Sequence, residues 1–234
     1  MSIGPNSSNP DSAKRIYHLY STPPAAYSIL TEPEALYVHL LFGLMDSNLG
    51  IIESNFASTI YTGFKTLEQR WPELVRDIET GVLNPDLNIP DDIRVEIQRE
   101  MKPNAKRANE LKEQFELGFD DIAKRIWPSL NLILATTTGT MSLYHKALSR
   151  TTCSSVPTYS PIYGASEGLL GVNLVPSSSQ PTYCLVPNAQ FFEFIKTSDS
   201  SEDQPTTLLM HQLELGEEYE VVVTNPSGLY RYHI

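Results

Sequence analysis

The chain is predicted to be α/β, with a mixed sheet flanked by helices and a β-rich C-terminal portion. Three observations predict this. Apolar residues up to Phe119 recur at helical spacing. The stretch from Leu130 to Ile162 reads strand, glycine turn, helix, strand. From Tyr183 onward, short β-type runs alternate with turn residues. With 234 residues, 41% hydrophobic and 19% charged, the chain is globular in composition and long enough for one large domain or two small ones.

The elements are expected in the following order. Residues 1 to 14 are polar and rich in Pro and Ser, and are expected to be loose within an N-terminal segment running to residue 20. That segment ends in a β-like run, Ile16 to Tyr20. Thr31-Glu32-Pro33-Glu34 reads as a capping box with Pro in the first turn. It opens a helix whose stripe is Leu36, Leu40, Leu41 and Leu44. Leu49 to Phe56 reads as a strand, and Ser58 as the cap of a helix burying Ile60, Phe64, Leu67 and Trp71. Pro72 is expected to begin a further helix that ends at Gly81. These helices are expected to cover one sheet face.

Between Pro90 and Phe119 charge dominates, which predicts a solvated helical hairpin outermost on the domain, an insertion of about residues 90–119 broken near Pro103. Its Lys102, Lys106, Arg107 and Lys112 are interleaved with Glu and read as a wet helix face. Leu130 to Ala135 is a predicted strand, Met141 to Leu148 a helix and Thr158 to Ile162 a strand. Tyr183 to Val186, Gln190 to Ile195, Thr207 to Leu213 and Tyr219 to Thr224 are further strands. Ser198 to Pro205 is an acidic loop, and Asn225-Pro226-Ser227-Gly228 has turn chemistry.

A net charge of −11 argues against a nucleic-acid partner, because phosphate backbones are bound by surplus Lys and Arg. The two cysteines, Cys153 and Cys184, form no zinc-type spacing and read as free thiols. No apolar run reaches a membrane span of ~20 residues, and the N-terminus lacks the pattern of a signal peptide. The expected location is the cytoplasm.

Three segments could carry chemistry. Tyr163-Gly164-Ala165-Ser166-Glu167 puts an aromatic ring, a glycine turn, a hydroxyl and a carboxylate within five residues. Those groups can hold an adenine face, a phosphate oxygen and Mg²⁺, at the strand end where α/β sheets bind ligands. The plainer reading is an ordinary turn with Ser166 as a cap and Glu167 in solvent. Thr136-Thr137-Thr138-Gly139-Thr140-Met141 joins a strand to a helix whose N-terminus favours anions; its plainer reading is a Thr cap with a turn Gly. Gly228-Leu229-Tyr230-Arg231-Tyr232 is the third, or else simply a hairpin strand. His145 reads as a surface helix residue.

Taken in order, these segments resemble the auxin-responsive Gretchen-Hagen-three family of acyl acid–amido synthetases, within the adenylate-forming superfamily. Ile162 to Leu174 (IYGASEGLLGVNL) is similar to the family's second nucleotide motif, Y-A-S-S-E with a trailing G-V-N-L. Gly228 to Ile234 (GLYRYHI) resembles the start of its third motif, G-L-Y-R-Y-R-V-G-D. Supporting similarity runs through Tyr37 to Gly43, Phe56-Ala57-Ser58, Arg125-Ile126-Trp127-Pro128, Thr138 to Met141 and Tyr219 to Thr224, so that the resemblance spans roughly residues 20 to 234.

The resemblance implies residues 21–234 as part of an adenylate-forming N-terminal domain and an ATP-dependent acid–amino acid ligase activity. ATP and Mg²⁺ are the implied cofactors; a small carboxylic acid and an amino acid are the implied partners. By position, Tyr163 with Gly164 and Ala165 would meet the adenine, Ser166 the α-phosphate and Glu167 the Mg²⁺. Gly139 and Thr140 would border the adenine and acyl pocket, within reach of Tyr163 and Glu167. Phe56 and Ser58 would line the acyl side, although Phe56 reads more simply as a core residue. The chain also departs from the family pattern. No Ser/Thr- and Gly-rich phosphate loop precedes Ser21, His233 stands where Arg is usual, and the chain stops at Ile234 before the Gly-Asp that would hold the ribose. No C-terminal Lys-bearing domain follows. These departures imply a chain inactive alone, or alternatively a non-catalytic binding remnant or gene-model fragment.

Overall fold

The structure is a computed structural model that describes residues 17–176 and 180–234. It forms two compact units, one ending at Tyr159 and one starting at Ser160. The α/β class and the β-rich C-terminal portion hold, with parallel and antiparallel pairing divided among three-stranded sheets. The loose segment expected for residues 1–14 lies outside the described residues, as does Ile16. The rest of that supposed β-run, Tyr17–Leu19, is a 3₁₀ turn. Its tyrosines turn inward on a ring cluster, with Tyr17 at 5.7 Å and Tyr20 at 6.3 Å from Tyr27.

In the first unit, β1 (Ile51–Phe56), β2 (Leu132–Thr136) and β3 (Thr158–Tyr159) pair in that order, all parallel. Parallel neighbours need long crossovers, and helices supply them. Helix α1 (Glu32–Met45) precedes the sheet. Between β1 and β2 lie α2 (Ala57–Thr80), α3 (Asp91–Glu100), α4 (Ala105–Glu116) and α5 (Ile122–Ile126). Helix α6 (Met141–Arg150) links β2 to β3. Helix α1 buries Leu36, Tyr37, Val38, Leu41, Phe42 and Leu44, a broader face than the expected stripe. The expected capping box does not form: Thr31 occupies the N-cap position without a side-chain cap bond, and its hydroxyl goes instead to Glu34 and holds that carboxyl below its usual range.

Two helices were expected on either side of Pro72, yet α2 runs through it unbroken. Proline inside a helix forfeits one backbone bond and crowds the preceding turn. Here the ring faces solvent, while Ile60, Phe64, Leu67, Leu74, Val75 and Ile78 keep one buried face across it. That burial outweighs a single lost bond. The helix ends as expected at Gly81, whose φ is +69°. A Cβ there would lie 2.5 Å from the backbone nitrogen of Pro103.

The hairpin over residues 90–119 forms, broken between Glu100 and Ala105. Asn104 caps α4 by accepting from the Arg107 N–H at 3.0 Å. The wet-face reading fails at Arg107, which is 7% exposed. Its Nε donates to the Leu44 carbonyl and its Nη2 to the Ile126 carbonyl, each at 2.8 Å. Helix ends leave carbonyls unpaired, and a guanidinium is the side chain able to serve two of them.

The second unit contains two antiparallel sheets, β4 (Ile162–Ala165), β5 (Gly168–Asn173) and β6 (Tyr183–Leu185), then β7 (Phe191–Lys196), β8 (Tyr219–Thr224) and β9 (Arg231–His233). Their core is small: Leu170, Phe192, Phe194 and Val223. The expected strand Thr158 to Ile162 divides here, β3 and β4 belonging to different sheets with Pro161 between them. Proline cannot donate to a ladder. The strand expected over Thr207 to Leu213 shrinks to a single bridge, Leu208 to Phe194, and a 3₁₀ turn at Met210–Gln212. The Gln212 side chain accepts from the Leu209 N–H at 2.7 Å and so takes the place of a ladder bond.

Cys153 is buried and Cys184 exposed, both free; burial pushes the Cys153 thiol up to about 12. Among the described residues no helix is long and apolar enough to cross a membrane.

The left-handed backbone at Gly81 yields one expected outcome. Gly81→Ala should cost about 2 kcal/mol or more, from positive φ and the clash with Pro103. Gly118→Ala, at φ +92° with no atom within 4 Å of the new Cβ, should cost only about 1 kcal/mol. Urea denaturation of both variants checks this.

His39 yields another. Its Nδ1 lies 3.1 Å from the Thr22 hydroxyl and its ring 5.1 Å from that of Tyr27; burial there pulls its pKa down to about 4. The unfolded chain, with a value near ~6.5, therefore binds this proton first on acidification. The stabilisation is complete above about pH 6.5 and is lost as the pH falls toward about 4, by on the order of 2–3 kcal/mol. His39→Gln should remove that part of the difference between urea midpoints at about pH 7.5 and about pH 4.5.

Candidate functional site

Two sets of candidate residues are held by two different local devices. The first lies at the carboxyl edge of the parallel sheet. Phe56 ends β1 opposite Thr136, which ends β2, and the register between them slips at a bulge after Glu53. Bulges re-aim side chains at sheet rims. Phe56 is 37% exposed, so its reading as a core residue is corrected. Ser58, half-buried in the first turn of α2, does not cap it, because Phe56 occupies the N-cap position without any side-chain bond. The strand has simply run directly into the helix.

After Thr136 the chain buries Thr137, exposes Gly139 at φ +57° and enters α6. Thr140 stands at the N-cap but makes no side-chain cap bond, so the Thr-cap reading does not hold. The turn closes through backbone, Met141 N–H to the Thr138 carbonyl at 3.2 Å and Ser142 N–H to Gly139 at 3.1 Å. Helices α2 and α6 both begin at this edge and touch through Tyr61 and Tyr144, whose rings lie 5.6 Å apart. Phe56, Ser58, Gly139 and Thr140 thus share one rim, with two helix N-termini opening on it. His145 is half-buried on α6, and burial lowers its pKa.

The second device is the β4–β5 hairpin. Ala165 pairs with Gly168, leaving Ser166 and Glu167 as a two-residue turn. Ser166 is exposed and donates to Glu167 Oε1 at 3.0 Å. Tyr163 lies half-buried, its ring 5.6 Å from that of Tyr183 and packed on the small core. Tyr183 in turn shares a 2.8 Å hydrogen bond with Ser160. Gly164 is exposed beside a register slip.

Two residues that spacing did not reveal also meet this turn. Gln190 Nε2 and Asn225 Nδ2 both donate to the Glu167 carbonyl, at 3.2 and 3.5 Å. They lie 23 and 58 positions away, so no local pattern could have shown them. The third segment is largely structural. Arg231 clasps Glu193 through two bonds of 2.8 and 2.9 Å, and His233 meets Glu220 at 2.5 Å. The hairpin-strand reading therefore accounts for Arg231 to His233.

Two family models match the chain. Residues 3–158 match the GH3 family N-terminal domain, and residues 183–234 match the GH3 family central domain. The chain belongs to the GH3 family. This is the family that the motifs at Ile162 to Leu174 and Gly228 to Ile234 resemble, and the Ser166–Glu167 hairpin falls between the two matched stretches. Jasmonoyl--L-amino acid synthetase JAR4 of Nicotiana attenuata is 34% identical, over 86% of this chain and 36% of its own length. Indole-3-acetic acid-amido synthetase GH3.6 of Arabidopsis thaliana is 30% identical, over 93% of this chain and 38% of its own. A solved structure, GH3.15 acyl acid amido synthetase, superposes with a TM-score of 0.84 at 30% identity, covering 95% of this chain and 40% of that one. A second, AtGH3.15 acyl acid amido synthetase in complex with 2,4-DB, gives 0.75 over 86% of this GH3 chain. The chain therefore spans well under half the length of these relatives.

Exposure separates the two aromatic candidates. Phe56→Ala should leave stability within about 1 kcal/mol of wild type, while Tyr163→Ala, which strips a ring from a small core, should cost about 2–3 kcal/mol. Paired denaturation curves for the two variants check the assignment.

Proposed function

We propose that these residues serve the ATP-dependent joining of a small carboxylic acid to an amino acid. The observation that carries this reading is the Ser166–Glu167 turn, a hydroxyl and a carboxylate side by side at a hairpin tip. Among the described residues the Glu167 carboxylate has no cationic partner and accepts only from Ser166. Membership of a family whose named relatives are amido synthetases supports the same reading.

The reaction has two steps. A carboxylate oxygen attacks the α-phosphorus of ATP, the bond to pyrophosphate breaks, and an acyl-adenylate forms. The amine of an amino acid then attacks the acyl carbon; AMP leaves, the nitrogen loses a proton, and an amide remains. Tyr163 packs on the adenine, flanked by Gly164 and Ala165, and the Ser166 hydroxyl donates to an α-phosphate oxygen. On the first unit, Gly139 and Thr140 with Phe56 and Ser58 form the rim offered to substrate, Phe56 and Ser58 on the side of the acid.

Glu167 suits Mg²⁺ in kind. It offers a hard oxygen, and among the described residues no cluster of three or more metal-ligating side chains exists. Mg²⁺ keeps several waters and takes one or two carboxylates together with substrate phosphates, so a lone carboxylate is an adequate protein contribution. When bound, Mg²⁺ offsets the negative charge that builds on the phosphates.

Residues 1–234 are expected to bind ATP with a Mg²⁺-dependent component, to which the Glu167 carboxylate contributes. Glu167→Gln should abolish the Mg²⁺-dependent part of ATP binding at unchanged thermal midpoint. Calorimetric and NMR titrations with and without Mg²⁺ make the test, and equal Mg²⁺ dependence in wild type and variant would overturn the assignment.

A further inference from the structure

We infer that Gln190 and Asn225 are positioning residues for the Ser166–Glu167 turn, holding the Glu167 peptide in the orientation from which its carboxylate serves the Mg²⁺-nucleotide. The inference rests on the function proposed above. It begins from a convergence of donors. Gln190 stands just before β7 and Asn225 just after β8, and both side-chain amides donate to one atom, the Glu167 carbonyl oxygen.

That arrangement has a cost. Each amide that points its NH₂ at Glu167 must point its oxygen the other way. There, Gln190 Oε1 and Asn225 Oδ1 are buried with no hydrogen-bond partner among the described residues. A buried, unpaired amide oxygen is unfavourable, and an apolar side chain of the same shape would avoid the penalty. Gln190 is 8% exposed, so for stability alone Leu or Met would serve better there. What the amide adds is direction. The oxygens have no surface open to solvent, so the pair is not itself a ligand site.

The glycine beside the turn fits the same role. Gly168 has φ +145°, and a Cβ there would lie 2.0 Å from Gln190 Nε2. Only a glycine lets the amide reach across to the Glu167 carbonyl. With Ala165 paired to Gly168, the turn contains two residues alone, so fixing one peptide plane fixes where both side chains leave the backbone. Strands β7 and β8 thereby control the tip of a hairpin in another sheet.

The test replaces the amides by isosteric Leu, in Gln190→Leu, Asn225→Leu and the double variant, with Gln190→Glu to remove the donor while keeping an acceptor. Three quantities are read on residues 1–234: the thermal midpoint, hydrogen exchange across 163–169, and NMR titration with Mg·ATP and with ATP in EDTA. The Leu variants are expected to keep or raise the midpoint and to exchange at least about tenfold faster around Glu167 and Gly168. They should also bind Mg·ATP about five- to tenfold more weakly, with binding in EDTA unchanged. A midpoint fallen by more than about 10 °C would make the amides structural and overturn the inference. So would unchanged exchange, or faster exchange with Mg²⁺ dependence intact; in both cases the proposed function stands. A wild-type chain with no Mg²⁺-dependent ATP binding overturns the function, and the positioning role with it.

Discussion

Asp77, 1% exposed in the last turns of α2, accepts from the Tyr37 hydroxyl at 2.8 Å, from the Asn84 N–H at 2.8 Å and from Arg76 at 3.3 Å. A carboxylate in such surroundings is tolerated only when donors surround it, and removing any one leaves charge stranded. Burial still raises its pKa despite those bonds. The three donors come from α1, from α2 itself and from the segment leading to α3, so their meeting point sets how these pieces dock. Tyr37 is held from its other side as well, with the Arg70 guanidinium 4.3 Å above its ring and Glu73 bonded to Arg70 at 2.6 Å. Arg70 stands before Pro72 and Glu73 and Asp77 after it, so these contacts add to the burial that carries α2 through the proline.

The rim that carries Phe56 and Thr136 depends on a second buried charge. Arg107 binds the carbonyl of Leu44, near the end of α1, and that of Ile126, at the end of α5. Trp127 adds a bond from its indole N–H to the Gly43 carbonyl at 2.7 Å. Helix α1 leads into β1 and α5 leads into β2. One guanidinium thus ties together the two points from which the paired strands set out, and the strands enter in register, Ile51 opposite Leu132. The register at the far end, where the candidate residues lie, is inherited from there. A helix face that looked merely solvated turns out to brace the sheet.

Among the described residues of the second unit the hydrophobic cluster is small, built on Leu170, Phe192, Phe194 and Val223, so polar contacts carry a larger share of the geometry. Arg231 joins β9 to Glu193 on β7 and reaches Thr207 at 3.2 Å, which tethers the irregular segment between β7 and β8. The rings of Tyr163 and Tyr183 meet at a tilt across the first antiparallel sheet, while the amides of Gln190 and Asn225 reach the hairpin tip from the second. The Ser166–Glu167 turn is short, glycine-flanked and externally braced, which is how a precise pair of side chains is held on a loop.

Local pattern determined much of this protein. Apolar spacing gave α1, the buried face of α2 and the hairpin of α3 and α4, and Gly81 marked a helix end by its need for positive φ. The ordered motifs at Ile162 to Leu174 and Gly228 to Ile234 pointed to the family, because motif identity resides in short segments. Tertiary structure decided what local rules leave open or decide wrongly. Pro72 reads locally as a break, but the burial on both sides of it wins. Thr207 to Leu213 reads as a strand, but the Gln212 side chain claims the N–H that a ladder would use. Phe56 reads as core, but a bulge turns it out to the rim. Arg107 reads as part of a wet helix face, Gln190 as the first residue of a strand and Asn225 as a turn residue; their partners lie far along the chain, and a hydrogen bond between distant segments leaves no trace in spacing. Sequence specifies which residues want burial or a partner, and only the fold decides which partner each one finds.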